Sequence, residues 1–471
     1  MVIDVVFTFF IKIIYKEKEM KKIKNIGVEP IYNVKELGAT RAVVLGVQHT
    51  FAMFGATVLV ALLTGLSVST TLLMAGLGTL LFHLLTKGKV PAFLGSSFAF
   101  LGGYGIVAPM VDGAANTEML PYACGGVACA GLVYVILAGL IKAFGANKVM
   151  RFFPPIVTGP MIISIGLILA GSAIQNASTN WGLALVALAG IIVCNIWGKG
   201  MLKIVPIIIG IMVAYVVAIL TNNVDFSGVS QASVLALPTI MFAKFDISAI
   251  ITIVPIAIAT MMEHIGDISA IGATTNRNYI KDPGLHRTLL GDGLATIFSA
   301  LFGGPANTTY GENTAVLALT RVYDPLVVRI AAVFAILLSF IPKFSEIIHS
   351  IPVAIIGGVC IMLYGMISAV GVRNIVENNV DFTKSRNLII AAVMLVSALG
   401  LNSIGGISFT VAGATVTLSG LAVSAIAGIL LNAILPGNDY DFDNVNNDEN
   451  KEKFPSLDLR IKEDAKKENA K

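Results

Sequence analysis

The chain has 471 residues, of which 56% are hydrophobic and only 13% are charged, and its mean hydropathy is +0.84. A soluble protein carries about 25% charged residues, so the composition excludes soluble enzymes and nucleic-acid-binding proteins and predicts a polytopic membrane protein. The net charge of +4 is small, and its distribution along the chain is more informative than its sum.

The two ends of the chain differ from its apolar middle. Residues 2–14 are apolar, but the charges follow them, which is the reverse of a signal peptide. We expect either an interfacial stretch or a true start at Met20. The tail after Pro436 carries 17 of the 60 charged residues, and we predict that it is disordered and cytoplasmic.

Between these ends, apolar runs of roughly 20 residues predict membrane helices. Two further stretches, 91–109 and 305–320, are apolar but rich in Gly, Ser, Thr and Pro, which are poor material for a full helix. The predicted helices are twelve: 41–64, 67–86, 120–141, 155–174, 181–197, 205–221, 247–267, 288–303, 325–342, 351–371, 386–402 and 410–434.

The distribution of Lys and Arg predicts that both irregular stretches also cross the membrane. With fourteen crossings and both termini cytoplasmic, 30 of the 32 basic residues lie on the cytoplasmic side. The other two are Lys244 and Lys343. Such a bias is typical of cytoplasmic loops, so we predict about fourteen segments, with short broken elements at the third and tenth.

Short motifs recur at nearly one spacing, which indicates an internal repeat. Pro91 and Pro305 begin the two irregular stretches, 214 residues apart, and Gln48-His49 precedes Glu263-His264 by 215 residues. A repeat of seven segments is odd in number, so its second copy would be inverted in the membrane. Broken elements at matching places in inverted halves point to a substrate site at mid-membrane.

Four acidic residues lie at predicted membrane depth: Glu263, Asp267, Asp292 and Glu312. Each costs a few kcal/mol there unless it is paired or faces water. Glu263 and Asp267 are one helical turn apart, and two carboxylates that close in an apolar medium do not both ionise easily. We therefore expect a proton to be carried with the substrate; the alternative is that the acids only hold the bundle together, most plausibly at Asp292.

The irregular stretches supply a second kind of group. An unwound backbone leaves N–H groups that need a partner, and near Phe98 and Gly311-Glu312 that partner could be a ligand. Phe98 offers an aromatic face, and Gln48 and His49 could line the same space. Because no Lys or Arg lies at this depth, the pattern favours a flat, neutral ring such as a nucleobase over an anion.

Neither a metal nor a cofactor is predicted. The four cysteines lie inside apolar runs, with neither metal-ligand spacing nor a disulfide pattern. We expect them to be small packing residues within helices.

Five segments together resemble the nucleobase–ascorbate transporter family: residues 48–57, 95–100, 263–266, 282–287 and 307–313. The resemblance runs from about Arg41 to about Leu435. It implies an all-α membrane fold of fourteen spans in two inverted repeats, a homodimer, and import of a nucleobase with protons across the bacterial inner membrane. The implied division is an N-terminal cytoplasmic extension (1–40), a core domain (41–151 and 247–343), a gate domain (152–246 and 344–435) and a tail (436–471).

Carried over by motif, the resemblance implies that Glu263 and Glu312 bind the base through their carboxylates. The backbone amides of Phe98 and Gly311 would bond its carbonyls. Glu at position 312 resembles the uracil branch, whereas members that carry xanthine or urate usually have Gln there. A carboxylate only accepts hydrogen bonds, while an amide also donates.

Two residues depart from the uracil pattern. Asp267 stands where a histidine is expected, and Ala315 stands where a glycine is expected. Asp at the first position also occurs in purine members, so a xanthine or urate permease is the alternative, and we expect Asp267 to take part in proton coupling. Three other classes are less favoured. An anion transporter would need a positive charge at the site, and the sequence offers none there. Buried acids would be costly and without purpose in a passive channel, and a membrane enzyme would need a catalytic pair, which the sequence lacks.

Overall fold

The computed structural model describes residues 26–437, apart from 112–113, 146–147, 150, 201, 203–204 and 412–413. The predictions for residues 2–14, for a start at Met20 and for the charged tail beyond Gly437 lie outside the described residues.

The first half of the chain contains helices and one very short strand. After a single 3₁₀ turn, Val34–Glu36, the elements are α1 Ala39–Thr64, α2 Val68–Leu85, β1 Leu94–Ser96, a 3₁₀ turn Phe98–Phe100 leading into α3 Leu101–Val107, α4 Leu120–Phe144, α5 Pro155–Ser178, α6 Trp181–Trp197, α7 Pro206–Leu220 and α8 Ser227–Gln231.

The second half also contains helices and one three-residue strand, and it adds a β-hairpin. Its elements are α9 Ile247–Ile253, α10 Ile256–Thr275, α11 Leu285–Leu301, β2 Asn307–Thr309, α12 Gly311–Thr320, α13 Pro325–Ser339, α14 Pro342–His349, α15 Val353–Glu377, α16 Ser385–Ser403, β3 Ile407–Val411, β4 Ala414–Leu418 and α17 Gly420–Ile434.

The described part of the chain is a mostly helical membrane protein. Seven of its helices are long and apolar enough to span a bilayer, or eight if the bent pair α13–α14, with its 84° angle, forms one span. Shorter apolar helices stand at α6, α7, α17 and over Phe98–Val107. The prediction of a polytopic helical fold is confirmed, and the inverted arrangement of fourteen segments stays a prediction.

One predicted span is wrong in its first part, and the span 247–267 is confirmed within Ile247–Thr275 but has a break in its helix. The span 410–434 begins with a β-hairpin, in which Ile407 pairs with Leu418 and Val411 with Ala414, and its helix starts only at Gly420. The span 247–267 is interrupted at Val254–Pro255 and continues to Thr275. Proline lacks the N–H that a continuous helix needs, and β-branched residues favour strands.

Helix ends follow their local sequence. Ser67, Asn180, Asp246 and Ser419 each accept a hydrogen bond from the first turn of the helix that they precede. Such caps satisfy N–H groups that have no partner within the helix. The helices on either side of the strands then pack closely, α2 and α11 among them, and so place β1 and β2 in the interior.

Candidate functional site

Two three-residue strands, β1 and β2, lie side by side in the interior of the protein, and we call them the paired strands. β1 and β2 pair antiparallel, with Leu94 opposite Thr309 and Ser96 opposite Asn307. All six residues of the two strands are buried. Such short strands cannot satisfy every backbone group by pairing with each other, and an unsatisfied group in a membrane interior costs several kcal/mol.

Threonines of neighbouring helices supply the missing hydrogen bonds. Thr79 of α2 accepts from the N–H of Leu94 at 2.9 Å and donates to its carbonyl at 3.1 Å. Likewise, Thr296 of α11 accepts from the N–H of Asn307 in β2 at 3.1 Å and donates to its carbonyl at 3.0 Å. The two strands are therefore held by the same device in both halves of the chain.

Tyr310 joins the second half to the first. Its hydroxyl donates to the carbonyl of Ser96 at 2.9 Å and accepts from Thr57 at 3.2 Å, while its N–H bonds the carbonyl of Phe93 at 3.0 Å. A Cβ on Gly95 would collide with its ring. Gly95 therefore permits the close approach that brings the end of β1 against the start of α12.

Each strand leads directly into a short helix whose first turn has no side-chain cap. These helices begin at Phe98 and at Gly311. Gly311 is exposed, and a Cβ built there would have no heavy atom within 4 Å. The first-turn N–H groups of a helix lack internal partners and carry partial positive charge, so this end of α12 presents hydrogen-bond donors to open space.

The acidic residues of α10 and α12 lie on helices that pack against each other, and α10 also packs against β2 and the turn at Phe98. Glu263 and Glu312, both partly buried, are close enough to repel each other electrostatically. Asp267, one turn after Glu263, accepts a hydrogen bond from the hydroxyl of Thr309 at 2.8 Å. Neither α10 nor α12 contains a Lys or Arg residue.

Asp292 of α11 has a different environment. It is fully buried, and its Oδ2 lies 3.2 Å from Nδ1 of His264, which is fully buried as well. The separation suits an ion pair, although the contact does not meet the geometry of a hydrogen bond. Asp292 repels Glu263 through the protein interior and does not line the open space.

His49 belongs to the packed wall of the site. It is fully buried, and the Asn313 amide donates to its Nδ1 at 3.1 Å and to its backbone carbonyl at 3.0 Å. Gln48, the preceding residue of α1, is only partly buried. Asn313 is thus the residue that fixes α1 against the start of α12.

The structure places Phe98, Glu263, Asp267, Gly311 and Glu312 on elements that pack together around the paired strands. It sets Asp292 and His49 behind them, each against a polar partner. Sequence reasoning missed Thr79, Thr296 and Thr309 as the residues that hold the strands and Asp267 in place. Threonines are common in apolar helices, and nothing in their spacing distinguishes these three.

Comparison with known proteins decides the class. A family model named for xanthine and uracil permeases, with the description Permease family, matches residues 40–431. The chain belongs to this permease family. The uracil permease of Bacillus caldolyticus is 44% identical over 410 residues, which cover 84% of this chain and 92% of that protein. The uracil permease of Escherichia coli K12 is 37% identical over 401 residues, which cover 83% and 90%. The permease is therefore a transport protein and not an enzyme.

Solved structures of other transporters share the fold. The transmembrane domain of the cyanobacterial bicarbonate transporter BicA aligns with a TM-score of 0.59 at 14% identity, over 80% of this chain and 98% of that one. SLC26A9 aligns with a TM-score of 0.62 at 13% identity, over 86% and 66%. At this level of identity the likeness concerns the fold alone.

Proposed function

We propose that this permease imports uracil together with protons across the bacterial inner membrane, by alternating access. The observation that carries the proposal is the packing of α10 against α12, which bring Glu263 and Glu312 from two separate parts of the chain beside helix starts with uncapped N–H groups. The names of the most similar relatives support the same substrate.

The donor and acceptor pattern of the site suits a pyrimidine. Uracil has two ring N–H donors and two carbonyl acceptors. The carboxylates of Glu263 and Glu312 only accept hydrogen bonds, and backbone N–H groups at Phe98 and Gly311 only donate. The Phe98 ring would lie against the base. The absence of Lys and Arg from α10 and α12 disfavours an anionic substrate.

Proton coupling is proposed to involve Asp267. Its carboxylate is bonded to Thr309 of β2, so a change in its charge would be felt by the strand that leads to Gly311 and Glu312. Glu263 and Glu312 repel it electrostatically, and so does Asp292 from behind. Asp267, Asp292, Gln48 and His49 remain the candidates for the coupling path.

The wider arrangement is also a proposal. The core domain would comprise 41–151 and 247–343 and the gate domain 152–246 and 344–435, with one moving against the other around the site. The close packing of α5 against α15 is consistent with a gate built from both halves. Both termini would be cytoplasmic, and the permease would work as a homodimer.

Uptake of labelled uracil into vesicles, with and without an inward proton gradient, tests the proposal. We expect accumulation only with the gradient, and we expect Glu263→Gln and Glu312→Gln each to abolish it. The matched control is Glu377→Gln, an exposed glutamate paired with Arg373 at 2.6 Å, which should transport normally. Normal accumulation by either site variant would remove that residue from the site, and uptake that ignores the gradient would exclude coupling.

A xanthine or urate permease is the second candidate, because Asp at the position of Asp267 also occurs in purine members. Glu312 opposes it. Unlabelled xanthine added in excess separates the two, since it should leave uracil uptake unchanged if uracil is the substrate. Strong inhibition by xanthine would favour the purine alternative.

A further inference from the structure

The segment before the first long helix lies across the ends of the two helices that carry the acids. We call residues 26–37 the N-terminal strap. Its Ile31 is 0% exposed and forms a parallel β-bridge with Val322, just after α12. Val34 and Leu37 of the strap pack with it against α1 and α13.

The strap binds the C-terminal end of α12 through the backbone. The N–H of Gly27 donates to the carbonyl of Thr320 at 2.9 Å, and the N–H of Ile31 donates to the carbonyl of Arg321 at 2.8 Å. The Arg321 guanidinium in turn donates to the carbonyl of Val28 at 3.1 Å. The last carbonyls of a helix have no internal partner, so the strap completes the hydrogen bonding of this helix.

The same strap reaches α10 through one side chain. The hydroxyl of Tyr32 donates to the carbonyl of Thr275, the last residue of α10, at 2.8 Å. Its ring lies 4.5 Å from the guanidinium of Arg277, a cation–π distance, and 5.4 Å from the ring of Tyr323. Tyr32 is therefore held between the residues that follow α10 and those that follow α12.

The two helix ends are close to the acids along rigid paths. Thr275 lies twelve residues after Glu263 on one unbroken helix, and Thr320 lies eight residues after Glu312 on another. At 1.5 Å per residue these are lengths of about 18 and 12 Å. A strap that fixes the two ends relative to each other also limits how far Glu263 and Glu312 can move apart.

We infer that the strap, and Tyr32 above all, is a positioning element that keeps α10 and α12 in register so that their acids form one binding site. The inference rests on the proposed function for its readout, but its geometry is independent of the substrate. Tyr32 touches neither the acids nor the strands in the described structure, so it would act only through the two helices.

The test compares Tyr32→Phe and Tyr32→Ala with a matched control. Tyr122→Phe is that control, since its ring also lies beside a cation, Lys244 at 5.6 Å, but on α4. Tyr32→Phe keeps the ring and removes the bond to Thr275, so the half-saturation concentration for uracil should rise about two- to fivefold with an unchanged maximal rate. Tyr32→Ala should raise it further, and Tyr122→Phe should not.

Hydrogen–deuterium exchange of the purified permease provides the arm that needs no substrate. Tyr32→Ala should speed exchange in the last turns of both α10 and α12, with wild-type rates in Tyr122→Phe. Unchanged exchange at either helix end would show that Tyr32 of the strap does not hold α10 and α12 together. If exchange is faster but the half-saturation concentration for uracil is unchanged, or if only the maximal rate falls, the strap does not position the binding site. If the wild type fails to take up uracil, the proposed function is wrong. The exchange measurement still shows whether the strap holds the ends of α10 and α12 together.

Discussion

Two adjacent residues of α10 have opposite surroundings. Glu263 is partly exposed beside the paired strands, where it repels Glu312. His264 is fully buried and lies against Asp292. Successive residues of a helix point about 100° apart, so one helix can serve an open site on one side and a closed core on the other.

The difference teaches that acidic residues at the same depth can have separate tasks. Glu263, Asp267 and Glu312 are only partly buried, and we propose them as ligand-binding or coupling residues. Asp292 has a buried partner, and breaking such a pair leaves a polar group in an apolar interior. We therefore expect the first set to control transport and the His264–Asp292 pair to control stability.

The largest effect should come from breaking the sealed pair. His264→Leu leaves Asp292 buried without its partner, which should cost about 3 kcal/mol of unfolding free energy. Denaturant unfolding in detergent measures it. The double variant His264→Leu/Asp292→Leu should recover most of the loss, since no polar group is then left behind; a double variant no more stable than the single one would break the comparison.

The second effect belongs to Glu263 and should be seen in binding rather than in folding. Glu263→Gln should weaken uracil binding about 10- to 100-fold, because a hydrogen bond to a charged group is lost. Its unfolding free energy should change by less than about 1 kcal/mol, since the site is partly open. Calorimetric titration and unfolding on the same sample check both. A large loss of stability would mean that Glu263 is as structural as its neighbour.

A smaller effect should follow from freeing Asp267. Thr309→Val removes the hydroxyl that donates to it at 2.8 Å, which should cost about 1 kcal/mol and raise the half-saturation concentration several-fold. Thr309→Ser should restore both. Thr314→Val, which removes only a long 3.4 Å bond to the carbonyl of Tyr310, is the matched control. Equal behaviour of the two valine variants would argue against a link between Asp267 and the strand.

The smallest effect concerns a surface pair. Lys89 contacts Asp282 at 2.6 Å, and its hydrogen bond holds the pKa of that carboxyl below its usual value. A lowered pKa in the folded state stabilises above the ordinary carboxyl pKa, and the contribution is lost as the pH falls through the folded-state value. Lys89→Ala should lower Tm at pH 7 by less than about 1 °C, and by nothing at strongly acidic pH. A difference that grows on acidification would contradict this sign.

Much of the fold was predictable, for reasons that can be named. Apolar runs and the lopsided basic charge indicate the helices, and the glycine, serine and proline content of 91–109 and 305–320 marks the broken elements. The hairpin strands Ile407–Val411 and Ala414–Leu418 were missed because the apolar composition from residue 410 onward predicts the start of a span. The alternation of apolar residues with Ser and Thr in both strands is the period-two pattern of a β-strand.

The site was predictable in its members but not in its arrangement. The acids could be found because charged groups are rare at that depth. Which acid faces open space depends on the rotation of α10 and on the partner that α11 brings to His264, and a residue 28 positions away leaves no mark in the local pattern. The contacts of Thr79 with Leu94 and of Thr296 with Asn307 join residues 15 and 11 positions apart, which no motif of adjacent residues reveals.

The pairing of β1 with β2 also sets an order for biosynthesis. Leu94 and its partner Thr309 are 215 residues apart, so a ribosome working at 5–20 residues per second needs about 10–40 s between them. Until the later strand arrives, the earlier one has no sheet partner within the lipid. The unpaired strand β1 must therefore be protected by the translocation machinery, or by helices of the nascent chain, before it can pair with β2.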